Sequence, residues 1–174
     1  MYGSNIKTEN VLIPEVGIQK EVRLTEVKFE ENRLSFVFEQ STGARVIHSE
    51  FKANPDWNIE EQQTDTSRRV KHIAEASGIA LNIDNTESFE EYVTQIIEAF
   101  GVLSDCTFNM IFIYNKKGFV CLPKYPPFIE ETREDGTSKL KISEYNRQKM
   151  IRIEPDPEPV DTTETATEKD NLPF

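Results

Sequence analysis

Between Phe89 and Phe100 the chain carries one unbroken helical face, while the apolar residues on either side follow strand spacing. Phe89, Tyr92, Val93, Ile96, Ile97 and Phe100 recur at i, i+3, i+4, i+7, i+8 and i+11, the pattern of an amphipathic helix. Ser88 with Glu91 three residues later makes a capping box, and Gly101 supplies the stop. A second stripe, Val70, Ile73 and Ala74, predicts a helix over Thr66–Ser77 that ends at Gly78. A chain of 174 residues with helices in its middle and strands outside them has room for one domain and few ways to build its core.

The segment Val22–Glu30 is rich in β-branched and aromatic residues and reads as a strand. Its apolar phase changes from Val22 and Leu24 to Val27 and Phe29, which predicts a bulge near Thr25–Glu26. A Glu31–Asn32 turn leads into a strand over Leu34–Phe38, and Ser41-Thr-Gly43 into another over Ala44–Phe51. After the helices, strands resume at Thr107–Tyr114 and Gly118–Pro123, with Asn115-Lys-Lys-Gly118 as a four-residue loop. Lys139–Ile142 and Met150–Ile153 are further short strand candidates. Three strands, a helical connection and at least two more strands is the order of an OB-like barrel. The expected fold is therefore mainly β with two helices, a five-stranded OB-like barrel over residues 1–153.

That four-residue loop sets an expected register in which Tyr114 opposes Phe119, Phe112 opposes Cys121, Met110 opposes Pro123 and Phe108 opposes Tyr125. All eight would share one aromatic face. Ile111, Ile113, Val120 and Leu122, with Asn109 and Lys124, would share the other, and this aliphatic face is the expected barrel interior. Phe108, Met110 and Phe112 are expected beneath the helix Phe89–Phe100 as core. Near the hairpin ends, Tyr114, Phe119 and Tyr125 lie beside Lys116, Lys117 and Lys124. Rings interleaved with lysines are what a single nucleic-acid strand needs, with stacking surface for bases and charge for phosphates. Arg45, His48 and Lys52 along the third strand and Trp57 in the loop beyond it would extend such a groove. The run Arg68, Arg69 and Lys71 reads as a solvated helix face.

Charge supports contact with phosphates more than the net value of −11 suggests. From residue 154 onward, Glu154, Asp156, Glu158, Asp161, Glu164, Glu168 and Asp170 face a single Lys169, leaving the preceding residues at only −5. Cys106 and Cys121 read as small core residues and do not suggest a disulfide framework. No apolar run is long enough to cross a membrane, and Met1–Asn10 lacks an export pattern, so a cytoplasmic protein is expected. No phosphate-binding glycine loop, metal-ligand spacing or nucleophile elbow is present, so neither an enzyme nor a cofactor or metal is expected. Asp84, Glu87, Glu90 and Glu91 are the carboxylates a metal-dependent nuclease would draw on, but they read as loop and helix-start charges.

Residues 154–174 alternate acids with prolines and then run through threonine and glutamate. With almost nothing apolar to bury, such a tail is expected to be disordered. It closes in Asp170-Asn-Leu-Pro-Phe174, where Phe174 reads as an apolar anchor and Asp170 as its acidic partner. This closing segment resembles the acidic C-terminal tip of bacterial single-stranded DNA-binding proteins, with Asp170, Pro173 and Phe174 matching and Leu172 a conservative replacement. Asn171 departs from the pattern by losing one acid. Across Asn115-Lys-Lys-Gly-Phe119 and Lys124-Tyr-Pro-Pro-Phe-Ile129 the body is more similar to phage-encoded members, which pair divergent OB cores with acidic tails ending in an aromatic residue. The resemblance implies sequence-independent binding and protection of single-stranded DNA, in the host cytoplasm if phage-encoded. It also implies recruitment of replication, recombination and repair proteins through Asp170, Leu172, Pro173 and Phe174. The alternative is an adaptor of similar fold that binds no nucleic acid. Homo-oligomerisation is left open by the sequence.

Overall fold

A computed structural model of the chain describes residues 12–153 apart from 84, 85 and 87. The tail and its tip, Asp170, Leu172, Pro173 and Phe174 included, lie outside the described residues, as do Asp84 and Glu87. Six strands are formed: β1 (Gly17–Glu30), β2 (Arg33–Glu39), β3 (Arg45–Phe51), β4 (Thr107–Tyr114), β5 (Val120–Cys121) and β6 (Ile129–Glu131). Between β3 and β4 run helices α1 (Ile59–Ala76) and α2 (Phe89–Phe100), and a short α3 (Glu144–Arg147) with a 3-10 turn (Gln148–Met150) follows β6.

The strand order β3-β2-β1-β4-β5 is antiparallel throughout, and β3 comes back towards β5, giving a nearly closed five-stranded barrel of OB-like form. Strand β1 is long enough to serve both neighbours because it bends. Its pairing with β2 slips between Leu24 and Glu26, where the change of apolar phase predicts a bulge, and its pairing with β4 slips between Gln19 and Val22. Val22, Leu24, Leu34, Phe36, Phe38 and Val46 fill the interior, and Phe100 of α2 closes it with an edge-on contact to Phe36 at 5.6 Å. Helix α2 starts where its capping box places it, with Ser88 Oγ accepting from the Glu91 amide at 3.2 Å.

Four expectations need correction. Helix α1 begins at Ile59 rather than Thr66, because Asn58 caps it by accepting from the Glu61 amide at 3.0 Å; the first turns lack an apolar stripe to reveal them. The hairpin register is displaced by one residue, with Tyr114 opposite Val120 and Ile113 opposite Cys121. The eight-residue aromatic face therefore does not form. The interior face is also the other one. Phe108 is paired with Val22, so Phe108, Met110 and Phe112 point into the barrel and are fully buried there, while Ile111 and Ile113 lie on the opposite side, against the C-terminal segment.

Lys139–Ile142 and Met150–Ile153 form no strands. The ladder position beyond β5 is taken by β6, which pairs Ile129 with Met110 and Glu131 with Phe108. The Glu130 carboxylate then ties down the following segment through Ser138 Oγ (2.6 Å) and the Lys139 amide, in place of a strand ladder.

Candidate nucleic-acid interface

The β4–β5 tip is built by Asn115 and Gly118. The Asn115 carbonyl accepts from the Gly118 amide at 3.0 Å, and the Asn115 amide donates to the Phe119 carbonyl at 2.8 Å. Asn115 Oδ1 also accepts from the amides of Lys117 and Phe119, both at 2.9 Å. The loop is thus three residues, Lys116–Gly118, with Gly118 at φ +82°, a turn that ends in a glycine bulge. This bonding of Asn115 to Phe119 just beyond the strands displaces the register. It also turns Phe119 outward, 66% exposed, beside the exposed Lys116 and Lys117.

After Cys121 the chain leaves β4 and rejoins it at Phe128, whose carbonyl accepts from the Ile111 amide at 2.9 Å, ahead of β6. The intervening arm presents Lys124 and Tyr125, with the ammonium 5.3 Å from the centre of the ring, which is 53% exposed. The C-terminal segment supplies a third ring that sequence reasoning missed. Tyr145 is 63% exposed, and Lys149 Nζ lies 4.1 Å over its centre. A hydrogen bond with Lys149 and the charge of Lys149, helped by Lys124 and Lys116, pulls the Tyr145 phenol below its ordinary value. Three lysines from three separate segments therefore act on one ring. Arg152 Nε joins the same segment to the hairpin by donating to the Gly118 carbonyl at 3.1 Å.

The other sequence-derived candidates divide. Tyr114 is half-buried at the end of β4 and offers only part of its ring. Lys52 is exposed just past β3. Trp57 is 50% exposed in the loop between β3 and α1, which Gln62 pins by bonding both the amide and the carbonyl of Asn54 at 2.9 Å. Arg45 stands at the start of β3, pairs with Glu39 at 3.6 Å, and is not brought to the hairpin.

His48 and Arg69 are not surface groups, as the groove and the solvated helix face would require. Both turn inward onto Glu50, a buried carboxylate near the end of β3. Arg69 grips it with Nε at 2.7 Å and Nη2 at 2.9 Å, His48 Nε2 lies at 2.5 Å, and Thr66 Oγ1 donates at 3.0 Å. Burial pushes the Glu50 carboxyl up, but the hydrogen bonds from Arg69 and His48 and the charges of those two groups outweigh it and hold the group at about 2. Helix α2 carries Glu90 and Glu91 in its first turn, where the helix dipole favours acids. Among the described residues, no group of three His, Cys, Asp or Glu side chains is placed to hold a metal ion. No helix among them is long and apolar enough to cross a membrane.

Lys116, Lys124 and Lys149 thus converge on Tyr145, with Tyr125 against Lys124 and the exposed Phe119 next to the Gly118 that Arg152 holds, so flat rings and cations are offered by neighbouring segments. Such a surface can stack against planar aromatic groups and neutralise anions along a flexible chain. The chain matches no protein-family model, no curated protein and no solved structure.

Proposed function

We propose that the protein binds single-stranded DNA without sequence preference, through the face made by the β4–β5 tip, the Lys124–Tyr125 arm and the Tyr145–Lys149 turn. The observation that carries this reading is the convergence of Lys116, Lys124 and Lys149 on the exposed Tyr145, with exposed Tyr125 and Phe119 on the segments that supply two of those lysines, on an OB-like barrel. Stacking on such rings contributes about 1–3 kcal/mol per base and tolerates any base, while the lysines release counterions from the phosphates. Trp57 and Lys52 would extend the path. Protection of the strand follows from its coverage, and the acidic segment ending Asp170-Asn-Leu-Pro-Phe174 would recruit proteins of replication, recombination or repair.

The test is binding of a labelled dT oligonucleotide against a duplex of equal length at two salt concentrations. A preference for the single strand that weakens with salt is expected. Removing residues 154–174, net charge −6, should tighten binding at matched salt, because a competing polyanion is gone. Failure to bind at low salt, with and without that segment, would leave an adaptor of the same fold as the better reading.

A further inference from the structure

The arm that carries Lys124 and Tyr125 is fastened at both ends to one face of α1. At its start, Arg69 Nη1 donates to the Lys124 carbonyl at 3.1 Å, using the donor that the Glu50 carboxylate leaves over. At its end, His72 Nε2 accepts from the amides of Phe128 (3.0 Å) and Ile129 (3.2 Å). The His72 ring meets Phe128 edge-on at 4.8 Å. Arg69 and His72 are three residues apart, so one turn of helix holds both ends. Beside them, Val70, Ile73 and Ala74 are buried and anchor that turn to the core. A ring nitrogen that accepts from two N–H groups must be unprotonated, and burial pulls His72 below its ordinary value, which keeps it so.

Between these fastenings run Pro126 and Pro127, whose rings fix their own φ, and the Phe128 carbonyl accepts from the Ile111 amide of β4 at 2.9 Å, so the arm is a stiff span whose placement depends on how its ends are held. Lys124 and Tyr125 are exposed, whereas Phe128 and Ile129 are buried. Rotation or fraying at either end would move the ring and the ammonium relative to Phe119 and Tyr145.

We propose that Arg69 and His72 are positioning residues, which touch no ligand themselves but hold the Lys124–Phe128 arm in the shape that presents Lys124 and Tyr125 to a single strand. This rests on the single-strand reading of the surface above. A role in packing alone would lower stability and leave the arm's contribution to binding unchanged.

The experiment uses the full chain, a dT oligonucleotide as probe, and amide hydrogen exchange as a readout independent of nucleic acid. His72→Phe keeps a ring but removes the acceptor, and His72→Gln restores an acceptor near the Nε2 position. In His72→Phe, exchange at Phe128 and Ile129 should quicken by about tenfold while β2 and β3 stay protected. Oligonucleotide affinity should fall by about tenfold, the size expected for one displaced stacking partner. His72→Gln should recover most of both. Combined with Tyr125→Ala, the His72→Phe change should add less than about twofold, since the arm would have no ring left to position.

Arg69→Lys keeps a positive charge against Glu50 but loses the planar fork, and should loosen the Lys124 end with a smaller loss of affinity. It also carries the test if His72→Phe does not fold. Unchanged exchange in the arm of a folded variant overturns the clamp. Quickened exchange with undiminished affinity overturns its role in presentation. Should the wild-type protein bind no dT oligonucleotide, the single-strand reading falls, and exchange alone then decides whether the clamp exists.

Discussion

At the β1–β2 tip, Glu31 and Asn32 reverse the chain with φ of +53° and +61°, two left-handed residues in a row and neither of them glycine. At the β4–β5 tip, three residues make the turn and the left-handed position falls on Gly118. The charges differ as sharply as the backbones. Around the first tip, Lys28 lies between Glu26 (3.7 Å) and Glu30 (3.2 Å), and Arg33 pairs with Glu31 at 3.3 Å. From Asn115 to Lys124 there is no acid at all. Phe29, near the first tip, leans edge-on against Phe89 of α2 at 6.3 Å, whereas Phe119 projects outward. One hairpin is closed on itself and on the core, and the other leaves its rings and cations facing outward. Two hairpins of one sheet can thus share a scaffold and differ entirely in what they offer a ligand.

The largest effect should come from below the second hairpin, at Glu50, which orients Arg69 towards the arm. Its folded value of about 2 lies below its ordinary 4.5, so the native state binds this proton more weakly than the unfolded chain does. The stability it contributes is complete above about pH 4.5 and is lost as pH falls towards 2. A depression of that size corresponds to about 3 kcal/mol. Urea unfolding between pH 6 and 3 should show this slope, and Glu50→Gln should flatten it while lowering stability at neutral pH. An unchanged slope in Glu50→Gln would mean that the acid sensitivity arises elsewhere, for example at Glu130, where burial is outweighed by hydrogen bonds from Ser138 and Asn109 that hold it below its ordinary value.

Charge reversal tests the two tips directly. Lys116→Glu with Lys117→Glu should weaken dT oligonucleotide binding by roughly a hundredfold at low salt and make the salt dependence shallower. Glu30→Lys with Glu31→Lys, an equal charge change of opposite sign at the other tip, should alter affinity far less. Comparable effects from both would indicate that overall charge, not the placement of cations beside rings, governs binding.

The legible parts of this molecule were those whose cause is local. Ser88, Glu91 and the apolar face fix α2 within a dozen residues, and the phase change in β1 marks its bulge directly. The β4–β5 register was missed by one because Asn115 can serve as a free loop residue or, as here, bond Phe119 across the base of the turn; its side-chain bonds to two amides decide the matter. Exposure at Phe119 and Tyr125 could be expected from their closeness to turns. Tyr145 and Lys149 could not, since Ser143 starts a short helix in a stretch without apolar periodicity. The fastening of residues 124–129 by Arg69 and His72 spans more than fifty positions of sequence, and no spacing rule reaches that far.

The smallest effect should be the turn itself, and it separates the hairpins most cleanly. Asn32 tolerates the left-handed region better than most residues, but glycine does so without steric penalty, and a two-residue turn of this type favours glycine at its second position. Asn32→Gly should therefore change stability by no more than about 1 kcal/mol and leave oligonucleotide binding untouched. The reciprocal change, Gly118→Ala, forces a side chain into the same region of φ and sets its Cβ 3.1 Å from Arg152 Nε. That substitution should cost about 1–2 kcal/mol in strain, and it should also weaken binding, because Arg152 is displaced and Phe119 follows directly on. Thermal unfolding and dT titration of the pair give a two-by-two comparison. If Gly118→Ala lowers stability and affinity together while Asn32→Gly moves neither by more than these amounts, the two tips differ in function as well as in form.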